Sequence, residues 1–474
     1  MANGIAWMVG ARLADRLIGV FSTLILARLL MPSDFGLVAM ATAIGAVLDL
    51  LGSFSFELAL IQNPDAERKH YDTVWTFNVI FGAVCALGMV VLAELAAGFY
   101  REPRLPAVMY VLSASYLMVG LNNIGVVAFR KDLNFKQEFK FILARRVVTF
   151  FITIAAAWLL KSYWALLIGM TVGRLVSLHL SYSMNAYRPK LSLAAAGELF
   201  QFSKWLVVNN FLNFLLHDGC TFVIGRIFGA TSLGVYTVSY EISNLPSTEL
   251  VAPINRATFP GFSKIAERAG ICDAYLKIFG MICLLILPVG LGIAAVARPL
   301  VQVALGEAWI SAVPLIALLA LHGALMATQG NNSPVWMALG HPRTTTIMTG
   351  AFLCVLFPAL YFFLHTYGIV GAGYAYLLAN LATLPFSMAA SRTLLGFQWR
   401  DLLSRSWRPA SGGGIMYGWV VLLDHQLAAV TPLTALVLET LSGALVYALT
   451  VLALWWAAGR PAGAEQYALE RVKS

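Results

Sequence analysis

Apolar runs of about 20 residues recur along almost the whole chain, and short stretches rich in Pro, Gly or charge separate them. A helix of that length rises 1.5 Å per residue and therefore crosses roughly 30 Å of hydrocarbon. Of the 474 residues, 59% are apolar and only 12% are charged, unlike a soluble globular domain. The sequence predicts an all-α integral membrane protein with no sizeable domain outside the bilayer.

The breaks between apolar runs divide the chain into about fourteen predicted transmembrane helices. In chain order they lie near residues 7–30, 35–60, 73–98, 105–129, 139–160, 163–187, 203–228, 233–258, 277–297, 309–331, 343–364, 368–390, 412–432 and 436–457. The span near 233–258 contains Pro246 and Pro253 among several polar residues, which predicts a broken or cavity-lining helix.

Lys and Arg residues are distributed unevenly between alternate loops. With the N-terminus inside, 20 of the 32 basic residues fall in inner loops and the C-terminal tail, and five fall in outer loops. Cytoplasmic loops of membrane proteins are enriched in Lys and Arg. The distribution predicts that both termini are cytoplasmic. It also accounts for the net charge of +9 without a nucleic-acid partner.

Two stretches of the chain resemble each other at an offset of 198 residues. Residues 26–37 align without gaps on residues 224–235, with Arg28 on Arg226 and Gly36 on Gly234. Both stretches join an odd-numbered predicted span to the next one. The match predicts two six-helix lobes around a central cavity, with two C-terminal helices added. The predicted boundaries are 1–200 for the N-terminal lobe, 201–395 for the C-terminal lobe, and 396–474 for the last two helices and tail.

Charged side chains at bilayer depth are costly, so those present usually face a partner, a cavity or water. On the first span, Arg12, Asp15 and Arg16 share one helical face with Gly19. Asp49 on the second span lies at about the depth of Arg16. The two side chains are predicted to share one aqueous cavity, and a simple Arg–Asp clamp between the helices is the alternative.

Further polar residues lie within later spans, and both predicted lobes therefore have candidates for a hydrophilic lining. The additional candidates are Arg145, Arg146, Arg174, Asn213, His217, Asp218 and Glu241. Arg145 and Arg146 lie near the inner surface, where snorkelling to the headgroups is the alternative. His217 beside Asp218 is either a proton-responsive pair or a packing residue.

The motifs that bring catalytic chemistry are absent from the sequence. It has no G-x-x-x-x-G-K-[ST] phosphate loop, no H-E-x-x-H and no Cys/His cluster with metal-ligand spacing. The predicted outer loops are mostly a few residues long, too short to hold an acceptor and catalytic residues above the membrane. The sequence predicts a transporter that is not an enzyme and that needs no cofactor or metal.

Several motifs resemble those of one transporter family. They are the residues 12–19 and 26–37, Phe56–Gln62, Thr73–Asn78 and Phe129–Phe135. Together they resemble the polysaccharide transporter branch, of the Wzx flippase type, of the multidrug/oligosaccharidyl-lipid/polysaccharide exporter superfamily. The likeness spans the chain, and its recognisable motifs concentrate in the first 140 residues. The motif over residues 28–36 lies at an outer helix junction and transfers no substrate site.

The resemblance implies an alternating-access flippase that moves undecaprenyl-pyrophosphate-linked oligosaccharide units across the bacterial inner membrane for exopolysaccharide, capsule or lipopolysaccharide synthesis. A lipid II-type flippase and a multidrug/cation antiporter of the same superfamily are the alternatives. A polysaccharide polymerase and a chain-length regulator are the implied partners. The pyrophosphate favours a cationic cavity. The residues expected in the substrate cavity are Arg12, Arg16, Arg145, Arg146, Arg174 and Asn213, with the five arginines as headgroup contacts and Asn213 as a sugar or ion contact. The residues expected to contact sugar or couple protons or sodium are Asp15, Asp49, His217, Asp218 and Glu241.

Overall fold

The computed structural model describes most of the chain. The described residues are 2–52, 60–61, 65–132, 134–198, 206–251, 267–427, 429–461 and 463–466, with residues 254, 255, 258, 261, 262 and 265. Their regular structure is helical, and the chain divides into two compact units, Met1–Thr237 and Val238–Ser474. This division differs from the lobe boundaries predicted from the repeat, which stay a prediction.

The described part of the first unit has seven helices of at least twelve residues and the start of an eighth, besides the short helix Ala128–Lys131. They are α1 (Ala2–Leu29), α2 (Pro32–Gly52), α3 (Arg68–Tyr100), α4 (Leu105–Gly120), α5 (Phe135–Leu160), α6 (Trp164–Ser183), α7 (Leu206–His217) and α8 (Gly219–Pro246), which continues into the second unit. Helix α1 packs on α5, α5 on α6, α6 on α4, and α4 on α3 and α2. This arrangement surrounds polar residues of α1, α2, α5 and α6 with helices.

Local sequence signals explain where several of these helices begin and end. Pro32 begins α2, and the Asp34 carboxylate caps it by accepting the Met31 N–H at 2.9 Å. Helix α3 ends at Arg101 and α5 at Lys161, both in the left-handed conformation with φ of 56° and 47°. Each of these two residues lies in a predicted outer loop.

The second unit continues α8 into a π-helical turn, Ser247–Val251. Eight further helices follow: α9 (Arg268–Ala295), α10 (Ala297–Ala304), α11 (Val313–Thr328), α12 (Asn332–Ala338), α13 (Pro342–Tyr367), α14 (Gly371–Leu395), α15 (Trp399–Gln426) and α16 (Pro432–Ala457). Helix α9 packs on α11 and α15, α13 on α14, and α15 on α16. The change to π geometry after Pro246 agrees with the broken helix predicted there.

Buried side chains on α14 hold the middle of the second unit together. Asn380 accepts a hydrogen bond from Gln329 at 2.7 Å, Ser387 accepts one from Asn332 at 2.7 Å, and the Ser391 hydroxyl accepts one from the Trp336 indole at 3.0 Å. Asn380, Ser387 and Ser391 lie on one face of α14. In an apolar surrounding, such bonds fix which helices pair.

In the described part of the chain, helices lie within each of the fourteen predicted spans. Among the described residues, nine helical segments are long and apolar enough to cross a membrane, and the bent pair Leu105–Gly120 with Ile124–Lys131 adds a tenth. Two of the nine, Asn210–Val251 and Pro342–Leu395, each hold two predicted spans. The two predicted spans left over, α1 and α15, are long helices that carry several charged residues. The multi-pass helical architecture is confirmed.

Two details of the prediction are wrong. The fourth span was expected as one helix over 105–129, but the helix ends at Gly120 and the chain bends by 66° before Ile124. The seventh span was expected as one helix over 203–228, but α7 ends at His217 and the chain turns at Asp218. The break expected after residue 228 agrees with Gly229, whose non-helical backbone, with φ of 74°, separates two helical stretches of α8. A positive φ costs little only for glycine.

Candidate functional site

The first unit contains a cavity of about 490 Å³ with three arginines on its wall. Helix α5 contributes Arg145 and Arg146, and α6 contributes Arg174. The other polar lining residues are Thr42, Thr149, Thr153, Ser177 and Thr237. The threonine hydroxyls at 42, 149 and 153 donate to carbonyls of their own helices at 2.6–3.0 Å. The guanidinium N–H groups are therefore the principal donors for an anion in this cavity.

Arg146 is held in place by the polar face of α1. Its Nε lies 3.4 Å from Oδ1 of Asp15, and each of the two side chains is 36% exposed. The same guanidinium packs over Gly19, where an added Cβ would lie 2.4 Å from Nη2. Asp15 and Gly19 are one helical turn apart, so both face α5. The predicted polar face of α1 is thus turned towards Arg146.

A second cavity, of about 510 Å³, lies in the same unit, and its wall carries carboxylates, which the described lining of the first cavity does not. The polar residues particular to this wall include Asp15, Asp49, Asn78, Tyr116, Asn122, Asn123, Glu138 and Arg130, which is paired with Glu138 at 2.8 Å. The Tyr116 hydroxyl donates to Oδ2 of Asp49 at 3.3 Å and lies over Gly45, where a Cβ would be 2.1 Å away. Such groups offer both donors and acceptors to a neutral polar ligand.

The two cavities share part of their walls. Arg145, Arg174 and Ser177 line both of them. Asp49 is also within electrostatic range of Arg174 and of Asp218. A ligand that is anionic at one end and hydroxyl-rich at the other would therefore meet matching groups on the two sides of Arg145 and Arg174.

Some of the predicted site residues line the two cavities, and others lie outside the described linings. Arg145, Arg146 and Arg174 line the first cavity, and Asp15 and Asp49 line the second. Arg16, Asn213 and His217 have exposed side chains outside the two described linings, and Asp218 is half-buried. Glu241 is exposed and belongs to the second unit. Arg12 lies on α1, but its side chain is outside the described residues.

Sequence reasoning missed the polar residues of α4 and the turn that follows it. Tyr116, Asn122 and Asn123 line the second cavity, and Asn122 Oδ1 is buried without a hydrogen-bond partner in the described structure. Asn123 stabilises the bend: its N–H donates to Ser181 Oγ at 3.0 Å and its Nδ2 to the Tyr187 carbonyl at 2.7 Å. The available signal was the pair Asn122–Asn123 directly after Gly120, inside an apolar run.

No metal centre accompanies these cavities in the described part of the chain, where no group of three or more His, Cys, Asp or Glu residues is placed to hold an ion. The groups on the cavity walls offer ionic and hydrogen-bonding contacts. A polar cavity enclosed by membrane-spanning helices is typical of transporters. The fold and cavities thus define a multi-pass helical membrane protein of the transporter class.

Comparison with known proteins identifies the family. A family model described as "Polysaccharide biosynthesis protein" matches residues 25–314, more than half of the chain, and the chain belongs to this family. The chain is 24% identical to the lipopolysaccharide biosynthesis protein WzxC of Escherichia coli (strain K12) over 418 residues, 86% of this chain and 84% of that protein. The resemblance to Wzx-type polysaccharide transporters is confirmed.

Two other relatives are also named as biosynthesis proteins. The chain is 25% identical to the succinoglycan biosynthesis transport protein ExoT of Rhizobium meliloti (strain 1021), over 72% of this chain and 69% of that protein. It is 26% identical to the teichuronic acid biosynthesis protein TuaB of Bacillus subtilis (strain 168), over 62% of this chain and 61% of that protein.

Solved structures confirm the fold. The lipid II flippase MurJ in an inward closed conformation matches with a TM-score of 0.75 at 12% identity, covering 96% of this chain and 99% of that one. An inward-facing multidrug resistance transporter of the MATE family matches with a TM-score of 0.58 at 14% identity, covering 80% of this chain and 95% of that one.

Proposed function

We propose that this protein is a flippase that moves undecaprenyl-pyrophosphate-linked oligosaccharide units from the cytoplasmic to the periplasmic leaflet of the bacterial inner membrane. Export in this form supplies exopolysaccharide, capsule or lipopolysaccharide synthesis. The observation that carries the proposal is the wall shared by the two cavities. On one side of Arg145 and Arg174 the described lining has arginines without carboxylates, and on the other side carboxamides and carboxylates accompany the arginines.

The arginine-rich side suits the pyrophosphate. Arg145, Arg146 and Arg174 outnumber the single carboxylate, Asp15, that pairs with Arg146. Guanidinium groups bind phosphate oxygens through paired N–H donors and keep their charge in apolar surroundings. Arg12 and Arg16 stay candidate headgroup contacts, and Asn213 stays a candidate sugar or ion contact. The lipid tail stays in the bilayer during transfer, because burying it in a polar cavity would be unfavourable.

The second cavity suits the sugars. Asn122 lines this cavity, and its Oδ1 is a buried acceptor without a partner in the described structure. A sugar hydroxyl is a donor that would satisfy it. Asn78, Asp49 and Tyr116 add acceptors and donors on the same wall. This division predicts that changes at Asn122 alter which glycans are carried, while changes at Arg174 affect every pyrophosphate-linked substrate.

Transport by this protein is proposed to proceed by alternating access of two six-helix lobes, residues 1–200 and 201–395, with the N- and C-termini in the cytoplasm. Asp15, Asp49, His217, Asp218 and Glu241 are the candidates for proton or sodium coupling or for sugar contact. The proposed partners are a polysaccharide polymerase and a chain-length regulator. No catalytic step or cofactor is part of the mechanism.

Two other functions of the same superfamily are alternatives. A lipid II-type flippase shares the pyrophosphate and hence the need for arginines. A multidrug/cation antiporter should instead present an acidic cavity to its cationic substrates. The first cavity, with three arginines on its wall, favours a pyrophosphate lipid.

The test measures the sidedness of lipid-linked oligosaccharide in spheroplasts of a deletion strain, read by access of an added lectin or glycosidase. The wild-type gene and an Arg226→Ala control should empty a protected, cytoplasm-facing pool, whereas Arg174→Ala should not. Arg226 is a suitable control because its guanidinium is exposed and lies 5.5 Å from the Phe99 ring, outside both cavities. An accessible pool in the deletion strain would refute the proposed substrate and favour the antiporter.

A further inference from the structure

The hairpin of α15 and α16, with the residues that follow it, contains two buried carboxylates in opposite situations. Glu465 is 4% exposed and its Oε1 lies 2.7 Å from Nε of Arg408, which is 5% exposed. Glu439 on α16 has no exposed surface, and neither of its oxygens has a hydrogen-bond partner in the described structure. One buried carboxylate therefore has a cation beside it, and the other does not.

The surroundings of Glu439 follow from the packing of the two helices. One turn further along α16, a Cβ on Gly443 would touch Val420 and Met416 of α15. Glu439 lies on the same helical face as Gly443, so it faces α15 near its C-terminal end. The charged side chain that acts on it there is Asp424, which carries the same sign.

The other charged groups on the helices that pack against α16 lie away from Glu439. Helix α9 carries Arg268, Asp273 and Lys277 in its first ten residues, and Gly280 of α9 packs on Arg405 near the start of α15, at the far end from Asp424. On α10 the charged residue is Arg298, which is exposed, and His425 beside Asp424 is exposed too. None of these brings a cation into the buried space around Glu439 in the described part of the chain.

An ionised carboxylate buried without a cation or hydrogen-bond donors is strongly disfavoured, and a neighbouring carboxylate adds repulsion. We propose that Glu439 is a proton-binding site: it holds a proton in the folded protein at neutral pH, whereas Glu465 is ionised and paired with Arg408. The ligand is a proton, because a metal cation would need several oxygen ligands and Glu439 has no oxygen partner here.

The position of Glu439 indicates the side from which the proton comes. It lies seven residues after the start of α16, about 10 Å along the helix, and Asp424 lies two residues before the end of α15 with part of its surface exposed. The distribution of Lys and Arg places this end of the hairpin outside. Asp424 is then the group through which Glu439 exchanges its proton with the outer surface. This inference does not rest on the proposed substrate.

The test is infrared difference spectroscopy on the purified full-length protein at pH 7, comparing wild type with Glu439→Gln. Loss of a protonated-carboxyl C=O band in the variant supports the proposal, and loss of an ionised-carboxylate band instead overturns it. Glu465→Gln is the matched control, and it should lose the ionised band. Glutamine is isosteric with the neutral acid, so Glu439→Gln should keep the wild-type unfolding temperature, and a large drop would also contradict the proposal.

Exchange with the outer surface is tested by transfer into D₂O. The Glu439 C=O band should shift to lower frequency within minutes in the wild type and at least tenfold more slowly in Asp424→Asn. A band that never shifts would refute an exchangeable site. Equal rates in the two proteins would refute the role of Asp424 while leaving the proton on Glu439.

Discussion

The backbone of Gly36 lies so close to Ala230 that a methyl group on its Cα would be 1.7 Å from the Ala230 carbonyl oxygen. The reverse contact exists as well, since a Cβ on Gly234 would be 1.8 Å from the carbonyl oxygen of Pro32. Gly234 and Ala230 are the positions that align with Gly36 and Pro32 at the offset of 198 residues. The two close contacts are thus reciprocal between the stretches that align with each other in the sequence.

The contact predicts that Gly36→Ala destabilises the protein. The new methyl group would meet backbone atoms, which cannot move aside as a side chain can, so helices α2 and α8 would have to separate at a cost of about 1–3 kcal/mol. Gly98→Ala is the control, because nothing lies within 4 Å of its Cβ position and alanine favours a helix by about 1 kcal/mol over glycine. Denaturant unfolding in detergent measures both. Equal stability of the two variants would contradict the close contact.

The buried pair of Arg408 and Glu465 predicts that one substitution in the pair costs more stability than two. Glu465→Ala alone should cost about 3–5 kcal/mol, because it leaves the Arg408 guanidinium buried without a counter-ion. Replacing both residues by methionine should be close to neutral, since the cost of removing two charges from water disappears together with their attraction. The free energies of unfolding of the single and double variants decide this. A double variant as unstable as the single one would show that the pair stabilises the fold beyond compensating its own desolvation.

The loop between α3 and α4 gives the protein a predicted acid sensitivity. Hydrogen bonds from the Arg104 guanidinium to Glu102, at 2.8 and 2.9 Å, hold the pKa of this carboxyl below its ordinary value of 4.5. A lowered pKa stabilises the folded state above pH 4.5, and this contribution is lost as the pH falls through the folded pKa. Glu102→Gln should therefore show a smaller loss of thermal stability on acidification than wild type. An identical slope in both proteins would show that the pair has no such effect.

The architecture could be predicted from sequence because hydropathy measures the free energy of transfer into the bilayer and depends little on tertiary contacts. The prediction of the helix boundaries from hydropathy failed where tertiary contacts determine them. The pair Asn122–Asn123 lies among apolar residues, so the average over the span stays high. The break there is fixed by bonds from Asn123 to Ser181 and Tyr187, which are 58 and 64 residues away in the chain.

The candidate site, too, could be predicted from the sequence only in part. Arg145, Arg174 and Asp49 could be identified because a charge within a span is conspicuous, and each does line a cavity. Tyr116 and Asn122 carry no charge and are therefore less conspicuous in a span, and only the fold shows that they line a cavity. Asn213 and His217 lie outside the two described linings, because depth in a span does not fix which face of the helix a residue occupies, and their roles stay predictions.

Gly19 supplies the sharpest test of the first cavity, because it controls the position of Arg146 without carrying a functional group. A methyl group at residue 19 would lie 2.4 Å from Arg146 Nη2, the end of a flexible side chain, so Gly19→Ala should displace the guanidinium while leaving the fold stable. We expect this variant to reduce emptying of the lipid-linked oligosaccharide pool to the level of Arg146→Ala. Gly10→Ala, on the same helix with nothing within 4 Å, should act as wild type. Normal export by Gly19→Ala would show that the guanidinium position over α1 does not matter to transport, and the headgroup contacts would then have to come from Arg145 and Arg174.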